Sequence, residues 1–237
     1  MLVKKINSFF IFKNSFDVGQ KFFLLGTFFL ASALPIAGIL LLISIIIAFI
    51  NNKEKIFNDR WNYPIFTSIL FIFIFTLYSS LQTEYEAIGI EKSIIWMNLL
   101  NWIPILLSYI GFQTYLINEN QRLLFRNFLI SGTFPVIVSC IIQKFFNLYG
   151  PFETLFGTIV WFNRPLYDAN LTGLFNNKNY LGIWITLCLP FTISALKNEN
   201  SNLLNRIIIC SFTLSYIYFA LLTSSRNSFL GIILSFI

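Results

Sequence analysis

The chain has 237 residues, 57% of them hydrophobic and 11% charged, with a formal net charge of +6. A soluble domain carries about 25% charged residues, so this composition excludes a water-exposed exterior and points to lipid, where helices satisfy their own backbone hydrogen bonds. The basic residues lie in short loops between apolar runs, which assigns them to membrane orientation rather than to nucleic acid.

Residues 1–21 read as an uncleaved cytoplasmic tail, because the apolar patch Phe9–Phe12 is too short for a signal-peptide core and charges follow it. The first long apolar run, Phe22 to Ile50, contains no charge and carries Gly26, Pro35 and Gly38 near its middle. Lysines flank it before (Lys4, Lys5, Lys13, Lys21) and basic residues after (Lys53, Lys55, Arg60). Both flanks favour the cytoplasm, so the run is expected to turn near Pro35 and return as a helical hairpin.

Tyr63–Leu81 is the next expected span, leading to an acidic outer loop with Glu84, Glu86 and Glu91. Ser93–Leu116 returns, with Pro104 tolerated inside a membrane helix. The segment 117–126, with Arg122 and Arg126, reads as a cytoplasmic loop before a span over Asn127–Ile142. The stretch at about 143–178 is the outer loop of the membrane domain 22–237, partly interfacial through Phe145, Phe146, Tyr149 and Trp161. Spans over Asn179–Leu196 and Ile207–Leu222 follow, and the run from Thr223 turns back in. The fold class is all-α: a polytopic helical bundle of about seven spans plus a truncated eighth.

This topology places 11 Lys/Arg inside and five outside, the latter being Lys92, Lys144, Arg164, Lys178 and Arg226. A single span over Phe22–Ile50 would transfer Lys4, Lys5, Lys13 and Lys21 to the outside and reverse the bias to 7 against 9. The last 11 residues after Arg226 rise only about 16 Å, half of a ~30 Å hydrocarbon core. The expectation is therefore a chain truncated before a large periplasmic loop, as the N-terminal part of a longer protein.

Cys140, Cys188 and Cys210 fall inside apolar runs and are expected to be buried, inert thiols. There is no histidine, which removes the commonest general base and metal ligand; no metal and no cofactor is expected. Glu153 and Asp168 on the outer stretch are the alternative carboxylate bases, with loop solvation their simpler role.

Two stretches at the outer face carry chemistry. Leu171–Gly182 (LTGLFNNKNYLG) places glycines, asparagines and Lys178 at the entry to a helix. A helix N-terminus offers unpaired N–H groups and partial positive charge, and so suits an anion; the structural alternative is an N-capping loop. Thr223–Gly231 (TSSRNSFLG) places Arg226 at the membrane edge, where its planar fork can hold a phosphate or simply snorkel to the interface.

Together these stretches resemble the O-antigen ligase/polymerase family of bacterial inner-membrane enzymes. Gly173–Gly182 is similar to its G-x-F-x-N-x-N-x-x-G segment, and Arg226–Leu230 to its R-x-x-x-L motif, with Asn227 in place of the usual glycine. The resemblance implies a GT-C-like bundle handling undecaprenyl-pyrophosphate-linked glycans at the periplasmic face, with the N-terminus cytoplasmic. It implies pyrophosphate binding by Arg226 and Lys178, with Gly173, Asn176, Asn179, Ser225 and Leu230 as supporting motif residues. The family's further arginine and histidine would come from the periplasmic loop, so the chain alone is expected to be inactive. A separately encoded C-terminal half is the corresponding partner. Two other classes compete. A bicarbonate or small-anion transporter would need charges deep within broken helices, and a non-catalytic subunit would need its other half.

Overall fold

The computed structural model describes residues 17–81, 92–150, 152–162, 171–197 and 202–236. The chain forms a helical protein with six helices long and apolar enough to cross a membrane among these residues. Two compact units emerge: residues 17–23 and 39–122 in the first, and 24–38 and 123–236 in the second.

The expected hairpin has a structural counterpart. Helix α1 (Val18–Phe29) stops at a turn over residues 30–33, and α2 (Leu34–Asn51) starts with Pro35 in its first turn. Proline lacks an N–H, so it opens a helix readily but cannot continue one. The outer ends of the two helices lie side by side: Gly19 faces the Ile47 side chain, and Asn51 Nδ2 donates to Asp17 Oδ2 at 3.5 Å. The flanks of the run therefore share one end of the pair. Helix begins at Val18, within the residues read as the tail. The 12 residues of α1 rise only about 18 Å, short of the ~30 Å needed to cross.

A rigid connector follows: α3 (Lys53–Asn58), then a 3₁₀ turn over Arg60–Asn62 opened by Asp59, whose carboxylate accepts from Trp61 N–H at 3.0 Å. Buried Asn62 donates to the Ile56 carbonyl at 2.9 Å. Helices α4 (Tyr63–Leu81) and α5 (Lys92–Gln113) pack against each other. Just past α5, Tyr115 is buried and donates to the Ser44 carbonyl at 2.8 Å, its ring stacked on Phe23.

The segment read as a cytoplasmic loop is helical from Glu119: α6 (Glu119–Gly132) begins eight residues before the expected span, and α7 (Phe134–Phe146) carries it on past Thr133. The cause is local. Gln121 Oε1 accepts from Asn118 N–H at 3.0 Å, one half of a capping box, and Glu119 stands in the first turn, where a negative charge complements the dipole. Arg122 caps the preceding turn, donating to the Leu116 and Ile117 carbonyls at 3.1 and 2.6 Å.

The second unit holds the main core. The fold is all-α apart from a small two-stranded antiparallel hairpin after α7, β1 (Phe152–Thr154) and β2 (Ile159–Phe162). Its connection passes Leu155, Phe156 and Gly157 through positive φ. Phe145, Phe146 and Tyr149 are exposed. Helices α8 (Lys178–Leu196), α9 (Leu203–Leu222) and α10 (Arg226–Ser235) pack together. Leu181, Ile185 and Leu189 form the inward stripe of α8, meeting Val136 and Cys140 of α7 and Tyr216, Phe219 and Ala220 of α9. Cys140 and Cys188 are buried as expected; Cys210 is exposed on an outward position of α9.

Candidate functional site

The two motif stretches meet in the second unit because α8 and α10 run parallel at close range. Gly182 faces Ser228, and Gly231 faces Thr186 one turn further on. Ser235 Oγ donates to the Thr186 carbonyl at 3.5 Å, continuing the same register. A Cβ at Gly182 would fall on Ser228 Oγ, so the missing side chain is what allows the approach, as in small-residue membrane interfaces. Lys178 lies one turn before Gly182, and Arg226 lies two residues before Ser228. The parallel register thus brings both cations, and the N-termini of both helices, to one end.

The first stretch is held from below by a residue that sequence reasoning did not single out. Gln143 of α7 is fully buried. Its Oε1 accepts from Thr172 N–H at 3.1 Å and Gly173 N–H at 2.7 Å. Its Nε2 donates to the Gly173 carbonyl at 3.0 Å and to Thr172 Oγ1 at 3.3 Å. One amide therefore satisfies most of the polar groups of a buried turn. Gly173 has φ +57° and sits against Cys140 Sγ, Leu181 and Val136, so both its backbone and the space around it demand glycine.

The N-cap of α8 is Asn177, whose Oδ1 accepts from Asn179 N–H at 2.8 Å. The expectation had named its neighbours: Asn176 and Asn179 are exposed, and Lys178 is half-buried as the first helical residue. The capping role of the stretch is thus occupied by one asparagine, leaving the flanking polar side chains at the surface.

The second stretch forms a compact hydroxyl cluster. Thr223 Oγ1 donates to the Ala220 carbonyl at 2.7 Å, lies 3.0 Å from Ser228 Oγ, and accepts from Ser225 N–H at 3.3 Å. Ser224 closes α9 in the left-handed conformation, φ +51°, which costs an L-residue roughly 1–2 kcal/mol. Ser225 is the N-cap of α10 by position, yet its hydroxyl makes no capping bond. It is 6% exposed, and among the described residues its Oγ has no hydrogen-bond partner. A cavity of about 310 Å³ opens here, lined by Ala220, Leu221, Ser224, Ser225, Arg226 and Phe229. Arg226 is exposed at its edge, while Leu230 is exposed and faces away from the core. An unused buried hydroxyl, a free helix N-terminus and a guanidinium thus border one cavity, an arrangement that can bind an oxyanion.

Of the alternative bases, Glu153 is exposed on β1, and Asp168 lies outside the described residues. Comparison with family models, curated proteins and solved structures finds no match to this chain.

Proposed function

We propose that this protein is an O-antigen ligase/polymerase-like membrane protein that holds the pyrophosphate of an undecaprenyl-linked glycan in the cavity at the start of α10. The observation that carries the reading is the cavity itself. Ser225 Oγ is buried beside Arg226 with no partner among the described residues, at an end shared with Lys178 and the N-terminus of α8. In a glycosyl transfer with a pyrophosphate leaving group, negative charge grows on the phosphate oxygens. Preorganised donors at that position stabilise it. Arg226 would supply a bidentate cation, Ser225 a neutral donor and the first N–H groups of α10 the remainder. Lys178 would add longer-range charge.

This chain would supply leaving-group binding; it contains no histidine, and acceptor activation would fall to a partner. The associated topology puts the N-terminus in the cytoplasm of a bacterial inner membrane, with α1 and α2 as a hairpin that returns to the same side and the helices that follow in a GT-C-like bundle. The Arg226 cavity then faces the periplasm.

The test is binding of undecaprenyl-pyrophosphate glycan to the protein in nanodiscs. Arg226→Ala is expected to weaken binding about 10- to 100-fold, the loss of a charge-assisted hydrogen bond of roughly 1.5–3 kcal/mol. Lys144→Ala, on exposed α7 surface, should leave it unchanged. Equal affinity of wild type and Arg226→Ala would remove the proposed role. A Ser224→Cys probe labelled only from the cytoplasmic side would overturn the topology.

A further inference from the structure

The first unit contains a groove unrelated to the Arg226 cavity. It has a volume of about 460 Å³ and is lined on α2 by Leu42, Ile46, Phe49 and Ile50, with Phe57 and Leu107 along its sides. Its lining is almost wholly apolar, except that Lys53 stands at one end. From Leu42 to Ile50 the groove runs about 12 Å at 1.5 Å per residue. That is close to the depth of one leaflet of a ~30 Å hydrocarbon core.

The groove is preformed. Phe57 stacks on Phe66 with ring centres 5.2 Å apart and meets Phe49 edge-on at 6.2 Å. The connector that carries Lys53 is pinned by buried Ile56 and the Asn62 bond to its carbonyl. The same connector projects Trp61, 85% exposed, as aromatic side chains do at the headgroup level. Lys53 is exposed, and among the described residues it forms no ion pair. Lys55 and Arg60 are exposed nearby.

We propose that this groove is a binding site for an anionic phospholipid of the surrounding bilayer, with one acyl chain lying along α2 and the phosphate on Lys53. An apolar trough of one-leaflet depth matches a chain, and a cation at the headgroup end matches a phosphate. A neutral partner helix would use the trough but not the charge. The site is independent of the glycan-handling reading, since it shares no residue with that cavity.

Native mass spectrometry of the full chain tests this. The protein is released from nanodiscs containing equal phosphatidylglycerol and phosphatidylcholine. Wild type should retain phosphatidylglycerol preferentially. Lys53→Gln should reduce that preference about fivefold, the value of one basic residue at an anionic surface, with the thermal unfolding midpoint unchanged. Leu107→Trp, which fills the groove, should reduce retention of both lipids. Unchanged retention in both variants overturns the proposal. So does recovery of a dimer, lost in Leu107→Trp, with no retained lipid, since the occupant would then be a second copy.

Discussion

Helices α4 and α5 of the first unit and α8 of the second are alike as candidate crossing segments and unlike as packing elements. Of the most apolar window of α4, 6% is buried inside the protein, and of α5, 12%; for α8 the share is 44%. Helix α4 is Phe- and Ile-rich and presents large apolar side chains such as Phe71 and Phe75 outward. Helix α8 is interrupted by Gly182, Thr186 and Thr192, all buried. In lipid, apolar surface gives no drive to associate, because the tails are as apolar as leucine. Close approach and hydroxyl bonds supply it instead. The difference teaches that hydropathy reports where a helix can lie, whereas small and hydroxyl residues report what it packs against. The candidate site stands where the second signal is densest.

The comparison breaks most visibly at Gly182. Gly182→Val drives two methyl groups into Ser228 and Thr223, and overpacking of this kind costs about 1–3 kcal/mol. We expect a loss near the upper end, read as unfolding in mixed detergent, together with loss of the proposed glycan binding at Arg226 because α10 is displaced. A stable variant with intact binding would show that the parallel packing of α8 and α10 does not build the site.

Gln143→Leu tests the other support. It preserves bulk but leaves the buried Thr172 and Gly173 N–H groups without an acceptor. Each unsatisfied group costs about 1–3 kcal/mol, and relaxation of the turn offsets part of that, so about 2 kcal/mol is expected. Hydrogen exchange should accelerate at Thr172 and Gly173 while the α4 amides keep their wild-type rates. Protection unchanged at both positions would place the turn's stability elsewhere.

How much of this was legible in the sequence follows the same division. The apolar runs became helices close to their expected bounds, because crossing length and hydropathy are local properties. The break before Pro35 was readable from proline's missing N–H. The α6 start was present as Asn118-x-x-Gln121, a short capping signal outweighed by the charges of Arg122 and Arg126. The β-hairpin was hidden because Leu155 and Phe156 adopt positive φ, where Asn or Gly would have announced a turn. Gln143 was invisible for a different reason. Its partners lie 29 and 30 residues away, and nothing local distinguishes a glutamine that clamps a loop from one at a helix end. The two motif stretches were found separately; their meeting depends on the Gly182–Ser228 register, which is tertiary.

A gain rather than a loss is expected at Ser224. Its φ of +51° is a conformation that glycine adopts without the penalty an L-residue carries. Ser224→Gly should stabilise the protein by about 1 kcal/mol in the same detergent assay. If the cavity depends on the held geometry of the α9–α10 turn, glycan binding should weaken in the same variant, since freedom gained at the turn is order lost at the site. Stability and binding that rise together would mean the strain is incidental.

The smallest effect is the sharpest statement of the comparison. Phe75 on α4 is 66% exposed, so Phe75→Ala exchanges contacts with lipid for contacts with lipid. Neither a cavity nor an unsatisfied group is created, and the cost should stay within about 0.5 kcal/mol. The same truncation at a buried phenylalanine ordinarily costs 3–5 kcal/mol in a packed core. A loss of 2 kcal/mol or more from Phe75→Ala, with a matching change in oligomeric state, would mean that α4 faces protein in the membrane rather than acyl chains. The contrast between the units would then be one between an interface already filled and one still awaiting its partner.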